Sequence, residues 1–118
     1  MAFVLLIVEG REDRMNRPKD VGIQAYEQMV RFSQGLQARG ILKAVESLKS
    51  DREAARIEIR NGKRRMVDGP FAESKEIVGG FFLLDVATRE EALRIASECP
   101  AAEWATVEVR ETGPCHSG

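Results

Sequence analysis

An α+β domain, with one sheet and both helices laid on the same side of it, is the fold class this sequence predicts. Three observations carry the expectation. Two short runs, FVLLIV (Phe3 to Val8) and FFLLDV (Phe81 to Val86), are apolar at odd and even positions, as strands buried on both faces are. Each is followed by a segment whose apolar residues recur with a helical period. Between these halves, Asn61-Gly62 separates two strand-like runs, the strongest short signal for a hairpin. At 118 residues the chain is long enough for a single core.

The opening run is only seven apolar residues long, from Ala2 to Val8, and is followed by Glu9, Arg11, Glu12, Asp13 and Arg14. It lacks the basic start and small-residue site of a signal peptide and is too short to span a bilayer. It is expected to be a strand of a cytoplasmic protein. Glu9 to Asp20 reads as a charged loop. From Lys19 or Asp20, Ala25, Met29, Phe32 and Leu36 fall on one helical face, with Tyr26 and Val30 beside them. Gly40 sits where a left-handed residue ends such a helix. Ile41 to Leu48 reads as a strand of modest quality and Lys49 to Glu53 as a polar turn.

The hairpin runs Ala55 to Arg60, then Asn61-Gly62, then Lys63 to Asp68. A two-residue type I′ turn needs positive φ at both centres and fixes the pairing. Arg60 then opposes Lys63, Ile57 opposes Met66 and Ala55 opposes Asp68. This register puts Asp68 on the face of Ala55, Ile57, Ile59 and Met66, so its carboxylate is expected to point inward. Ala72 to Val78 reads as a polar loop, and Gly79-Gly80 leads into the strand Phe81 to Val86. Thr88-Arg89-Glu90-Glu91 has the form of a capping box. The helix it opens carries Ala92, Ile95, Ala96 and Cys99 on one face, and Pro100 stops it. Thr106 to Arg110 alternates like an edge strand. The order amounts to a ferredoxin-like βαββαβ unit with an inserted β-hairpin. It forms a single domain over residues 1–111, followed by a tail, 112–118, expected to fray.

Composition narrows the partners. Eighteen basic residues against nineteen acidic leave a net charge of −1, which argues against nucleic acid or an anionic membrane as partner. Two cysteines make neither a disulfide framework nor a zinc site; Cys99 reads as a buried hydrophobe and Cys115 as exposed. No cofactor or metal is implied. Two helices cover only one side of the sheet, yet Phe81 and Leu83 face away from Phe82, Leu84 and Val86. Leaving large apolar side chains wet costs about 1.5–3 kcal/mol each. A homodimer, packed sheet against sheet about a two-fold axis, is therefore expected.

FVLLIV, the hairpin leading into VDGPFAESKEIVGGFFLLDV, the helix EEALRIASECPAA and the closing TVEVRE together resemble the YCII-related family, in the branch named for its DGPF motif. The likeness covers nearly the whole chain. It implies a ferredoxin-like dimer of the α/β-barrel type. Most members are uncharacterised, a few act on small ring compounds, and some accompany extracytoplasmic-function sigma factors. In one branch a His–Asp pair is the proposed catalytic unit. Asp68 matches the motif acid, but the sole histidine, His116, lies in the tail, so the pair does not carry over.

The candidate site is thus Asp68, Gly69, Pro70, Phe71 and Tyr26, with Asp68 as the one catalytic candidate. A carboxylate in a low-dielectric cleft can serve as general acid or base. The competing reading is that Asp68 accepts backbone N–H groups after Pro70 and fixes the turn. Arg11, Arg14 and Arg17 could cap an anionic ligand if their loop folds over. Either a small-molecule ligand, with or without a reaction, or a protein-interaction module of regulatory type fits these residues.

Overall fold

A computed structural model of the protein describes residues 2–116. Among them are a four-stranded antiparallel sheet of order β2-β5-β1-β6, a separate two-stranded sheet β3-β4, and three α-helices. In chain order these are β1 (Phe3–Gly10), α1 (Arg11–Asn16), α2 (Lys19–Ala38), β2 (Leu42–Ser47), β3 (Ala55–Arg60), β4 (Lys63–Asp68), β5 (Glu76–Leu84), α3 (Arg89–Glu98) and β6 (Thr106–Glu111). This is mixed α+β architecture, compatible with the ferredoxin-like arrangement expected from the sequence.

The core follows from strand alternation. Along β1, Phe3, Leu5, Ile7 and Glu9 are buried while Val4, Leu6 and Val8 are half-buried. Successive strand side chains point to opposite faces, so the first set belongs to the helical side. Antiparallel pairing puts Phe82 and Val109 opposite Leu5. Phe82 and Leu84 of β5 join Leu36 of α2 and Ala92, Ile95 and Ala96 of α3 in one cluster. The rings of Phe32 and Phe82 meet edge to face at 5.4 Å. The molecule measures 46 × 41 × 19 Å, and the short axis leaves room for one helical layer on one sheet.

The helix signals work as written, with one exception. Gly40 takes φ +73°, and the Ile41 N–H reaches back to the Leu36 carbonyl, closing α2. The Thr88 hydroxyl accepts from the Glu91 N–H at 3.2 Å. The return half of the capping box is not made: the Glu91 carboxylate lies 3.9 Å from Arg39 and 4.0 Å from Arg94. Cys99 is buried and Cys115 exposed. Thr112 extends the β6 edge, its N–H donating to the Ala2 carbonyl at 2.9 Å. Of the tail expected to fray, Ser117 and Gly118 lie outside the described residues.

Two boundaries differ from expectation. The segment from Glu9 to Asp20 is not a loop: β1 runs on to Gly10, and Arg11–Asn16 is helical. Its charges carry no apolar period, so nothing in the pattern marks the helix; none of its residues is buried. β5 begins at Glu76, within the stretch read as a polar loop, because Gly10 pairs Glu76 and Val8 pairs Val78. A bulge near Gly79 shifts the register there and hides the alternation.

The hairpin pairs as the Asn-Gly turn dictates, from Arg60↔Lys63 to Ala55↔Asp68, with φ +52° at Asn61 and +76° at Gly62. Its environment is the correction. Both strands are exposed along their whole length, and Ile59 keeps 65% of its surface. Asp68 therefore does not point into a core. The register was inferable from the turn, but the covering layer that would make one face internal is absent from this chain's described residues.

Leu84→Ala is expected to lower unfolding free energy by about 2–5 kcal/mol, since Leu84 is fully buried at the centre of the cluster. Urea unfolding at fixed protein concentration reads this as a lower midpoint with unchanged slope. A loss under about 1 kcal/mol would remove Leu84 from the core.

Candidate functional site

A cleft of about 320 Å³ opens on the helical side of the sheet, under the N-terminal half of α2. Its lining includes Ile7 and Phe82 of the sheet, Ala25, Tyr26, Met29 and Val30 of α2, and Trp104 beyond α3. The helix stands off the sheet here. Its C-terminal half buries Leu36, whereas Tyr26 remains 59% exposed on the rim.

At one end of the cleft lies a charged triad. Glu9 occupies the helical face of β1 two residues after Ile7, and its side chain is 8% exposed. Arg14 Nη1 donates to Glu9 Oε2 at 3.2 Å and Arg17 Nη2 donates to Glu9 Oε1 at 3.0 Å. Arg14 Nη2 also donates to the Leu48 carbonyl at 2.7 Å, tying α1 to the end of β2. A buried carboxylate needs such partners, because an unpaired one is heavily penalised. Gly79 makes room: a Cβ there would sit 2.2 Å from Glu9 Oε2 and 3.4 Å from Arg14 Nη1. Two guanidiniums against one carboxylate leave the triad with a net charge of +1.

The DGPF turn lies elsewhere. Arg11, the first residue of α1, gathers three chain segments. Its guanidinium donates to both carboxylate oxygens of Asp51 (2.7 Å to Oδ1), to the Phe71 carbonyl at 3.0 Å and, through Nε, to the Ser74 carbonyl at 2.7 Å. Asp51 Oδ2 in turn accepts the Phe71 N–H at 3.2 Å. Gly69 packs against this knot so closely that a Cβ would fall 1.9 Å from the Asp51 carbonyl oxygen. The Gly69–Pro70 peptide is cis. Phe71 is buried, with the Arg56 guanidinium carbon 3.8 Å from its ring centroid.

Of the five residues singled out from sequence, only Tyr26 borders the cleft. Gly69, Pro70 and Phe71 form the turn and its anchor, and Asp68 is exposed at the end of β4. The role weighed for Asp68, a carboxylate accepting an N–H beyond Pro70, is filled by Asp51. Arg11, Arg14 and Arg17 divide between the two places. His116 is exposed in the tail, and Cys99 donates to Met29 Sδ at 3.9 Å in the core, where burial pushes its thiol up. Among the described residues no group of His, Cys, Asp and Glu could hold a metal ion, and no helix is long and apolar enough to cross a membrane.

Residues 1–114 match the family model for the YCII-related domain. The chain belongs to the YCII-related family. It is also 39% identical over 67 residues to an uncharacterised protein of Rhizobium meliloti (strain 1021), an alignment covering 57% of this chain. The chain spans about half the length, 54%, of that curated relative. Glu9, beside the cleft, and Asp51, in the clamp on the turn, are the two charged anchors of this YCII-related chain that were not singled out from the sequence. Glu9 could have been found as the acid ending the inward series Phe3, Leu5, Ile7. Asp51, in a polar turn some twenty residues before the motif, gave no local signal.

The Arg11 guanidinium, by its hydrogen bonds, holds the Asp51 carboxyl down to about 2, assisted by the Phe71 N–H and opposed by burial. A carboxyl lowered on folding stabilises the fold fully above its unfolded value, near pH 4, and loses that contribution as pH falls toward about 2. Melting temperature should therefore fall more steeply between about pH 4 and pH 2 in the wild type than in Asp51→Asn. Parallel acid profiles would mean that the Arg11–Asp51 pair does not persist in solution.

Proposed function

We propose that this YCII-related protein binds a small organic molecule in the cleft under α2, as a homodimer packed sheet to sheet, with the DGPF turn acting as the brace that clamps the two ends of the β3-β4 hairpin. The observation that carries this reading is the cleft itself, where apolar walls adjoin a small charged group, the usual make-up of a ligand pocket. Its volume is at the small end of such sites. Of the sequence candidates, Tyr26 belongs to the pocket in this reading and Gly69, Pro70 and Phe71 belong to the brace. Asp68 remains the alternative: as a motif acid it could meet a ligand at the turn, and mutation separates the two placements.

A thermal-shift panel of aromatic acids, lactones and quinols provides the test. A compound that stabilises the wild type and Asp68→Ala, but not Ala25→Phe, supports the cleft. Stabilisation lost in Asp68→Ala and kept in Ala25→Phe moves the site to the motif.

The dimer is supported by the uncovered side of the sheet, where Val4, Leu6, Val8, Phe81 and Leu83 are half-buried and Val78 is exposed. Register brings Leu6 beside Phe81 and Val4 beside Leu83, so these form one patch. Patches of this kind mark association surfaces. Sedimentation velocity at micromolar concentration should give the mass of two chains, and Leu6→Glu the mass of one. A wild type that sediments as a single chain removes the dimer.

A second reading, a regulatory protein-interaction module, draws on the hairpin. Its exposed Ile57, Ile59 and Met66 lie beside a tip carrying Arg60, Lys63, Arg64 and Arg65. A sigma-factor partner of the kind the DGPF resemblance implies would find its contact there.

A further inference from the structure

The charge of the cleft specifies more than the presence of a ligand. Arg14 and Arg17 are mostly buried, at 25% and 18% side-chain exposure, and both spend hydrogen bonds on the one Glu9 carboxylate. One positive charge is left over in a partly desolvated site. Arg14 is further committed to the Leu48 carbonyl. Arg17 engages only Nη2 among the described contacts, so its Nε and Nη1 hydrogens are left as donors. A charge-assisted hydrogen bond from such a guanidinium donor to a carboxylate is among the strong ones.

The rest of the cleft is apolar. Ile7 forms the floor next to Glu9, Met29 and Ala25 face it from α2, and Trp104 closes the far side. Glu46, also on the border, alternates with Val45, which pairs with Phe82; its side chain is thus directed to the other face of the sheet. It does not neutralise the excess charge from within the cleft.

Resting on the cleft being the ligand site, we infer that its ligand is a small organic monoanion, with a carboxylate on Arg17 beside the Glu9 triad and an apolar body over Ile7 and Met29 beneath Tyr26. A single negative charge brings the site to neutrality. A doubly charged phosphate would overshoot it, and a neutral ligand, even one whose carbonyl accepts from Arg17, would leave the surplus charge uncompensated. Attraction across such a site is also weakened by added salt.

Isothermal titration of the full chain with matched pairs tests this: benzoate against benzamide, cinnamate against cinnamide, hexanoate against hexanamide. At least one carboxylate should bind about tenfold or more tightly than its amide, with the gap narrowing as salt is raised. Arg17→Gln should reduce the preference to about threefold or less, and Arg17→Lys, which keeps the charge, should retain most of it. Because the amide comparison and the salt series use the wild type, the inference can fail even if Arg17→Gln does not fold. Amides that bind as well as carboxylates, and that Ala25→Phe excludes, would overturn the monoanion while leaving the cleft standing. A carboxylate preference untouched by Arg17→Gln also overturns it. Failure of every pair to bind removes the cleft reading along with it.

Discussion

β1 turns Phe3, Leu5, Ile7 and Glu9 to the same side of the sheet, and the change from aliphatic to acid at the fourth position divides the molecule in two. Over the first three residues, α2 and α3 can close down and exclude water. Over the fourth they cannot, because a carboxylate taken out of water must be given charged or hydrogen-bonded partners. Arg14 and Arg17 supply them, from the segment that leaves the end of β1. Guanidiniums are bulky, so the N-terminal half of α2 stands away from the sheet, and the cleft occupies the space left over. The Gly79 backbone lies against the triad for the same reason: any side chain there would displace the carboxylate. A single acid thus sets the limit of the core, the path of α1 and the position of the pocket.

The DGPF turn solves a different problem. The chain leaves β2, makes a hairpin that touches nothing else extensively, and must return to start β5. Such an excursion would swing freely unless its two ends were clamped together. Arg11 and Asp51 form that clamp, with Phe71 bound through both its N–H and its carbonyl. Gly69 donates to the Ala54 carbonyl at 2.7 Å, joining the two ends of the hairpin directly. Close backbone contact at Gly69 forbids a side chain, and a planar guanidinium that bonds a carboxylate and two carbonyls at once fixes three segments with one residue. In this arrangement Asp68 is the exposed last residue of β4.

How far this could be read from the chain depends on whether the determining interaction was local. The Asn61-Gly62 turn, the Gly40 stop and the Thr88 cap are decided within a few residues; the first two appear as written, and of the capping box the Thr88 half is made. Strand alternation gave the core, since Phe82, Leu84 and Leu5 share a face whatever else happens. The misplacement of Asp68 came from a sound register combined with an assumed covering layer; pairing is a property of two strands, whereas inside and outside require a third element. The polar segments Arg11–Asn16 and Glu76–Val78 were read as loops because their structure comes from tertiary pairing rather than from an apolar period. The Arg11–Asp51 pair spans forty positions and the Asp51–Phe71 contact twenty, distances over which a single sequence carries no pairing information. Arg14 and Arg17 were visible as a possible anion cap, but their neighbour Glu9 was counted with the charged loop, and with it went the net charge of the site.

The commitments of the ionisable groups favour recognition over proton transfer in the proposed site. A general base must offer a lone pair to a substrate proton at hydrogen-bond distance. Each oxygen of Glu9 already accepts from a guanidinium, and Asp51 is engaged by Arg11 and by the Phe71 N–H. The Cys99 thiol faces Met29 in the core, and burial holds it in the neutral form that is a poor nucleophile. Donors, by contrast, are in surplus at the cleft, through Arg17 and the rim hydroxyl of Tyr26. A pocket with unspent guanidinium donors and apolar surface, whose buried carboxylate is already paired with two guanidiniums, selects a ligand by charge and shape.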